Sequence, residues 1–220
     1  MKRLLLYFAA LVTLLSQSSC GYNGMVQRDQ AVKTQWGAVQ SAYQRRADLI
    51  PNLVNTVKAA AQNERGTLEG VMEARAKATS VNISADQLTP ENLAKFQAAQ
   101  GQLSQGLGRL LAVAENYPQL RTNDNFVGLQ AQIEGTENRI NMARDNFNNS
   151  VNDYNTFTRS FPNNLFAGMF GFQPKGYFEA DPNAQKAPTV DFGDMSNNPS
   201  ANSSSTAPPA GNSSTMPQAK

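Results

Sequence analysis

The sequence predicts an all-α protein, a long antiparallel four-helix bundle of the up-and-down type. Apolar residues recur at alternating steps of three and four along four segments, the spacing that places them on one face of a helix. Alternation of apolar and polar residues, which would indicate strands, extends over no comparable length. The chain has 220 residues, of which 40% are hydrophobic, so it can bury a core of this kind.

The first predicted helix begins near Val32 and has one charged residue in its apolar stripe. The stripe advances by an average of 3.5 residues, the repeat of helices that pack along a seam. Pro51 lies within this helix, lacks an amide donor and clashes with the carbonyl of Ala47, so we expect a kink there. A restart of the helix capped by Asp48 is the alternative. The stripe consists of Val32, Trp36, Val39, Tyr43, Arg46, Ile50, Leu53 and Val57.

Three further helices are predicted over about 64–80, 91–115 and 124–161. Pro118 ends the third helix and Pro162 ends the fourth, because proline cannot continue a helix. At about 1.5 Å per residue the fourth helix is a rod of roughly 54 Å. The first helix is of similar length, so the two can pair along most of their extent. The stripe of the fourth helix consists of Phe126, Leu129, Ile133, Thr136, Ile140, Ala143, Phe147, Ser150, Tyr154, Phe157 and Phe161.

The N-terminus, residues 1–19, is predicted to be a signal peptide of the lipoprotein type. The basic pair Lys2 and Arg3 precedes an uncharged apolar run over 4–15, and two serines stand directly before Cys20. As a helix that run would span about 18 Å, less than the roughly 30 Å of a bilayer core. A permanent span is therefore the weaker interpretation, and an uncleaved N-terminal helix remains as the alternative anchor.

The rest of the chain divides by composition. Cys20 is the predicted lipid attachment site, and 20–25 would form the anchored start and a short linker. The bundle is predicted over 26–162. Residues 163–180 are dense in aromatic residues and glycine and are predicted to be an aromatic strap packed on the bundle. The alternative is that this segment joins an end of the bundle to a membrane or a partner. Residues 181–220 are predicted to be an extended and disordered tail, since their last part is almost entirely small and polar.

The composition excludes much enzyme chemistry. The sequence has no histidine, which removes Ser-His-Asp triads, Cys-His dyads and His-ligated zinc. With a single cysteine there is no intramolecular disulfide, Cys-cluster zinc site or CxxC redox motif. The net charge is +2 without a basic stripe, so no nucleic-acid partner is predicted. No catalytic residue, metal site or cofactor is predicted.

The candidate site lies near the predicted kink. Arg46 occupies a stripe position, where a charge is costly unless it is paired. Two interpretations are open: an interface for a partner, or an internal ion-pair network that fixes helix register. A carboxylate site for hydrolysis or for a divalent cation is the enzymatic alternative, but metal-binding bundles typically use Glu-x-x-His pairs. The candidate residues are Arg45, Arg46, Asp48, Glu115, Glu137 and Arg144.

Several short strings, taken in order over about 22–180, resemble those of the LemA family. The resemblance implies a bacterial membrane-associated helical protein with an N-terminal membrane segment and a four-helix bundle, and it implies no reaction. Phe147 departs from the family, whose members often carry Tyr there, and the N-terminal segment resembles a lipoprotein signal rather than a long span. The strings include Leu49-Ile50-Pro51-Asn52-Leu53-Val54, Ala74-Arg75, Glu115-Asn116-Tyr117-Pro118, Thr136-Glu137, Ala143-Arg144, Tyr154-Asn155, Phe161-Pro162 and Tyr177-Phe178.

These observations predict a membrane-tethered, non-catalytic protein of the bacterial cell envelope that acts as an interaction or scaffold module. It would be held by its N-terminal lipid, or by an uncleaved N-terminal helix, with the bundle outside the cytoplasm. An outer-membrane lipoprotein that faces the periplasm and binds another envelope protein fits best. The alternative is an envelope hydrolase or metal-dependent enzyme that uses carboxylates in the bundle.

Overall fold

The computed structural model of the chain describes the backbone of residues 2–179 and the side chains of residues 21–179. Within this part the protein is all-α, as predicted, and has no strand. The number of helices is six rather than four, because two short helices accompany the four long ones. The helices are α1 (Lys2–Ala60), α2 (Arg65–Ser80), α3 (Pro90–Glu115), α4 (Pro118–Arg121), α5 (Asp124–Arg159) and α6 (Asn163–Ala167).

The long helices pack in pairs. α1 lies along α5, and α2 packs against α3 and against α1. The observed bounds of α2 and α3 differ by one residue or less from the predicted 64–80 and 91–115. The predicted tail over 181–220 and the side chain of Cys20 fall outside the described residues.

α1 runs without interruption through Pro51, so the alternative of a restart at Asp48 is wrong. Proline has no amide hydrogen, which leaves the carbonyl of Ala47 without its usual donor four residues on. Arg75 of α2 supplies the missing donor, since its Nε donates to the Ala47 carbonyl at 2.8 Å. A bond between helices thus replaces the lost bond within α1.

Residues 20–25, which the sequence analysis assigned to a linker, lie inside α1 and belong to the packed structure. Met25 is fully buried. A Cβ at Gly24 would lie 2.5 Å from the ring of Phe157, and one at Gly21 would lie 2.7 Å from Asn163 Oδ1. Glycine therefore permits α1 to approach the end of α5 and α6 closely. No helix among the described residues is long and apolar enough to cross a membrane.

α5 ends at Arg159, two residues before the predicted end. Phe161, predicted to lie on the apolar stripe, is 81% exposed. The stripe was predicted with a period of 3.5 residues, whereas a straight helix has 3.6 and drifts by about 20° per heptad. Over the last turns of α5 the buried residues are Val151, Tyr154, Asn155 and Thr158, of which Tyr154 alone lies on the predicted stripe.

The core consists of two apolar clusters that follow each other along the helices. The Ile50 cluster takes its α1 residues from 50–60 and combines them with Ala61, α2, α3, α4 and the start of α5. The Trp36 cluster takes its α1 residues from 32–43. Its centre is Trp36, whose ring lies 5.3 Å from that of Phe96 and whose Nε1 donates to the Ile83 carbonyl at 2.9 Å.

The strap, predicted over 163–180, begins with the short helix α6 and a turn over 168–171. Its remaining described part, residues 172–179, has no regular secondary structure and pairs its backbone with two asparagines of α5. Asn148 accepts from the amide of Phe178 at 2.9 Å and donates to its carbonyl at 3.0 Å. Asn155 makes the same pair of bonds with Lys175, each at 2.9 Å. Seven helical residues and three extended residues each cover about 10 Å, so the two spacings match. The strap thereby inserts Phe178 into the Trp36 cluster.

The bond from Arg75 to Ala47 predicts that removal of Pro51 compensates for the loss of Arg75. We expect Arg75→Met to lower the free energy of unfolding by about 1–3 kcal/mol, because a buried carbonyl loses its donor. Pro51→Ala restores an amide at position 51, so Arg75→Met should cost clearly less in that background. Urea unfolding of the four chains measures both costs. An equal cost in both backgrounds would contradict this assignment.

The strap should depend on the asparagines of α5. Asn155→Ala leaves the amide and carbonyl of Lys175 unpaired, so we expect a loss of about 2 kcal/mol and faster proteolytic cleavage within the strap. Asn149→Ala, at an exposed position of the same helix, is the matched control and should change stability by less than about 0.5 kcal/mol. If both variants resist protease like the parent, the strap is held by its apolar side chains alone.

Candidate functional site

Arg46 of α1 lies between the two apolar clusters and is 1% exposed. Its Nη1 lies 2.5 Å from Glu137 Oε1 and donates to Ser104 Oγ at 2.9 Å. Its Nη2 donates to Gln100 Oε1 at 2.8 Å. We call these four residues the Arg46 network. The guanidinium thus contacts polar groups of α3 and α5 from a position on α1.

Gln100 extends the Arg46 network to a fourth helix. The amide of Gln100 is buried, and its Nε2 donates to the carbonyl of Ala78 in the last turn of α2 at 3.2 Å. One guanidinium and one amide therefore connect all four long helices at a single level. Since hydrogen bonds require distance and angle together, this level opposes sliding of the helices.

The charge of Arg46 is only partly compensated. Its partner Glu137 has a side chain that is 40% exposed, so the ion pair lies at the edge of the buried region. Arg46 Nε has no hydrogen-bond partner among the described residues. The ring of Tyr43 lies 5.1 Å from Arg46 Cζ, a cation–π distance. Burial raises the pKa of Tyr43, and the nearby charges of Arg46 and Arg144 oppose that rise.

The other predicted site residues lie elsewhere. Arg45 and Asp48 are exposed on the outer side of α1, where Asp48 accepts from Gln44 at 2.7 Å. Glu115, another of the candidate residues, lines a separate cavity of about 380 Å³. Arg144 donates to the carbonyl of Glu179 at 3.0 Å and lies over the ring of Phe178. Of the six candidates, the structure brings only Arg46 and Glu137 together.

Gln100 and Ser104 were missed by the sequence analysis, although one signal was present. The stripe of α3 passes from Phe96 directly to Leu103, a gap of seven residues. Gln100 occupies the stripe position within this gap. A polar residue at such a position on a second helix is the expected partner of a charged one.

A second charged cluster joins the strap to α1. Asp29 contacts Lys175 at 2.9 Å and Lys33 at 3.1 Å, and Lys33 reaches Asp86 at 2.7 Å. The hydrogen bond to Asp86 is the main cause that raises the pKa of Lys33, and the same bond lowers the pKa of Asp86. Burial raises the pKa of Tyr154, under the strap, to about 12.

These pKa shifts fix the charges of the cluster near neutral pH. A general acid requires a carboxyl pKa raised toward neutrality, and a lysine base requires a lowered pKa. Asp86 and Lys33 are shifted in the opposite directions. The cavity beside them, of about 260 Å³, is therefore lined by charged residues held in ion pairs, whose pKa shifts are opposite to those of an acid–base pair.

The larger cavity between α2 and α3 has a different character. It measures about 630 Å³ and is open to solvent, and Glu73 is the one carboxylate in its lining, beside Lys77 and Arg109. Within the described part of the chain, no three Asp, Glu, His or Cys residues are grouped so as to hold a metal ion.

The Arg46 network makes a prediction about coupling. Arg46→Met leaves the buried amide of Gln100 without its partner, and Gln100→Leu leaves the guanidinium of Arg46 without one of its acceptors. Each variant should therefore lower the free energy of unfolding by about 2–3 kcal/mol. The double variant replaces both polar side chains by apolar ones. We expect its loss of unfolding free energy to be smaller than the sum of the two single losses by at least about 1 kcal/mol. Glu137→Gln, at a half-exposed position, should cost about 1 kcal/mol or less. Strict additivity in urea unfolding would show that Arg46 and Gln100 act independently.

Comparison with known proteins supports the resemblance noted in the sequence. The LemA family matches residues 35–192, which is more than half of the 220-residue chain. The curated proteins "Magnetosome protein MamQ 1" and "MamQ 2" of Paramagnetospirillum magneticum and MamQ of Magnetospirillum gryphiswaldense are each 32% identical over 84 residues. These matches cover 38% of the chain, which thus spans about a third (31%) of the length of these relatives. The family match includes the whole Arg46 network and the strap, and the chain belongs to the LemA family.

Proposed function

We propose that the protein is a membrane-tethered, non-catalytic interaction or scaffold module of the bacterial cell envelope. The observation that carries this proposal is the course of α1. Cys20 and the segment after it lie on the same helix that is packed into the core from Met25 onward. An anchor at or before Cys20 would therefore hold the helical body directly, without a linker. In this proposal the long helices act as an up-and-down antiparallel bundle.

The finer assignment is an outer-membrane lipoprotein that faces the periplasm and binds an envelope protein. The sequence around Cys20 supports lipid attachment, and an uncleaved N-terminal helix is the alternative tether. The names of the MamQ relatives refer to the magnetosome, but the match covers 31% of their length. From these relatives we therefore transfer no more than a role in interaction, and only for the helical segment that the chain shares with them.

The enzymatic alternative finds less support in the geometry. Glu137, a candidate residue, is held by Arg46, and Glu64, another carboxylate of the bundle, accepts from the hydroxyl of Tyr117 at 3.4 Å. Glu115 lines a cavity with Arg121. Glu137 and Glu64 thus contact a cation and a hydroxyl donor, and in these contacts neither faces a second carboxylate as an acid–base pair would require.

The tether is tested at Cys20. In the native host, the parent chain should incorporate a labelled fatty acid, lose residues 1–19 and remain with the membrane fraction. Cys20→Ser should abolish the labelling and the processing, because the acyl chains are attached through the thiol. Ser19→Ala keeps a small residue before the cysteine and is the matched control, expected to behave like the parent. Intact mass and membrane partition of the three chains are the measurements.

The outcomes separate the two anchors. A parent chain that is membrane-bound but retains residues 1–19 without acyl groups would replace lipid attachment by the uncleaved helix. If Cys20→Ser is processed and partitions like the parent, the lipoprotein assignment is wrong. A parent chain found in the soluble fraction would contradict the tether altogether.

A further inference from the structure

One end of the helical body exposes a group of large apolar side chains, which we call the end patch. Its members come from the beginning of the part of α1 whose side chains are described and from the segment that follows α5 and includes α6. Met169 is 77% exposed, Leu165 62% and Phe170 50%, and Phe161 is the most exposed of all. The end patch consists of Tyr22, Val26, Phe161, Leu165, Met169 and Phe170.

The two parts of the end patch are in contact. The ring of Tyr22 lies 5.2 Å from that of Phe170, edge to face. Gly21 lies against Asn163 in α6, so the helix that carries Leu165 begins beside α1. Ala167 of α6 is buried while Leu165 is exposed, so one side of this turn packs and the other faces outward. Large apolar side chains exposed on two segments that contact each other are typical of an interaction surface.

The charges around the end patch are positive on balance, because the two carboxylates beside it are paired with lysines. Asp29 and Asp86 line a cavity together with Phe170, and they contact Lys175 and Lys33. From Tyr154 to Phe178 the sequence contains no Asp or Glu, and its charged residues are Arg159 and Lys175. Lys175 is neutralised by Asp29, whereas Arg159 is exposed. On α1 the nearest basic residue is Arg28, which stacks over the ring of Phe157 at 3.9 Å. Aromatic and aliphatic side chains with a basic rim are typical of segments that lie in the headgroup region of a bilayer.

The position of the end patch points to the same occupant. Tyr22 follows Cys20 by two residues, a rise of about 3 Å along α1. The apolar run over residues 4–15 precedes it on the same helix. Whichever anchor operates, the chain leaves the membrane at the level of the end patch.

We propose that the end patch lies in the interfacial layer of the lipid bilayer and acts as a second membrane contact. This inference rests on the proposed tether. A single attachment leaves a body free to tilt, whereas a second contact to one side of it fixes an orientation. The far end of α1, at Ala60, would then stand up to roughly 57 Å from Tyr22, at about 1.5 Å per residue.

The depth of Met169 in the bilayer can be measured by tryptophan quenching. The full chain is reconstituted into vesicles of phosphatidylethanolamine and phosphatidylglycerol, with or without lipids brominated near the top of the acyl chains. Met169→Trp places the probe in the end patch, at a side chain whose exposure allows replacement without disturbing the core. Met142→Trp is the matched control, because Met142 is 66% exposed on α5 and lies about 26 Å along the helix from its end at Arg159. Trp36, the one native tryptophan, is buried and gives the same background in both chains.

We expect brominated lipid to reduce the added fluorescence of Met169→Trp about twofold and to leave that of Met142→Trp almost unchanged. Flotation of the vesicles is measured on the same samples and reports the tether separately. If the chain floats but both probes are quenched equally little, the end patch does not enter the bilayer and the inference fails while the tether stands. A chain that does not float with the vesicles contradicts both the tether and the patch.

Leu165→Glu keeps the inference falsifiable should Met169→Trp perturb the fold. It places a carboxylate at an exposed position of the end patch, so in the Met169→Trp chain it should reduce the quenching by brominated lipid. Val127→Glu, at an exposed apolar position near the start of α5, is its control and should leave the quenching unchanged. Unchanged quenching with both would show that the probe reports something other than the end patch.

Discussion

The positive charge of Arg46, buried between two apolar clusters, is the constraint on which the arrangement of the helices depends. Removal of a guanidinium from water costs several kcal/mol unless hydrogen bonds replace the lost hydration. Gln100, Ser104 and Glu137 provide those bonds from α3 and α5. A shift of one residue along either helix would move its side chain by about 1.5 Å and rotate it by 100°, which breaks the contact. The cost of burying Arg46 is offset in one register only.

The same principle recurs wherever two segments could otherwise slide. Apolar contact is non-directional and tolerates small displacements. In this protein, polar side chains bind the backbone of the neighbouring segment at such places: Arg75 binds Ala47, and Asn148 and Asn155 bind the strap. The match of spacings means that the strap can pair with both asparagines at once only in one alignment. Apolar clusters supply the stability, and a few polar contacts select the alignment.

The helices and the importance of Arg46 could be predicted from the sequence, because both are local properties. Proline marks the ends of α3 and α5, and a charge within an apolar stripe marks a site that must be compensated. The partners could not be predicted, because they depend on which helices meet and at what height. Gln100 was visible as a gap in a stripe, but its contact with Arg46 spans 54 residues of sequence. Residues 20–25 were assigned to a linker for the same reason. Gly24 packs against Phe157, a contact between residues far apart in the sequence.

A stiff body suits a module whose partner must be met at a set distance from a surface. α1 extends from the proposed membrane contact to the far end of the described body as one helix, so it has no loop at which the body could bend. Pro51 is the place where such a helix would be expected to yield, since a main-chain hydrogen bond is missing there. Arg75 fills that position from the neighbouring helix, and the Arg46 network lies a little more than one turn before it. The part of α1 around Pro51, where a main-chain hydrogen bond is missing, is thus also the part that α2, α3 and α5 hold by directional polar contacts. Contacts at this position oppose bending of α1 more effectively than contacts elsewhere along it.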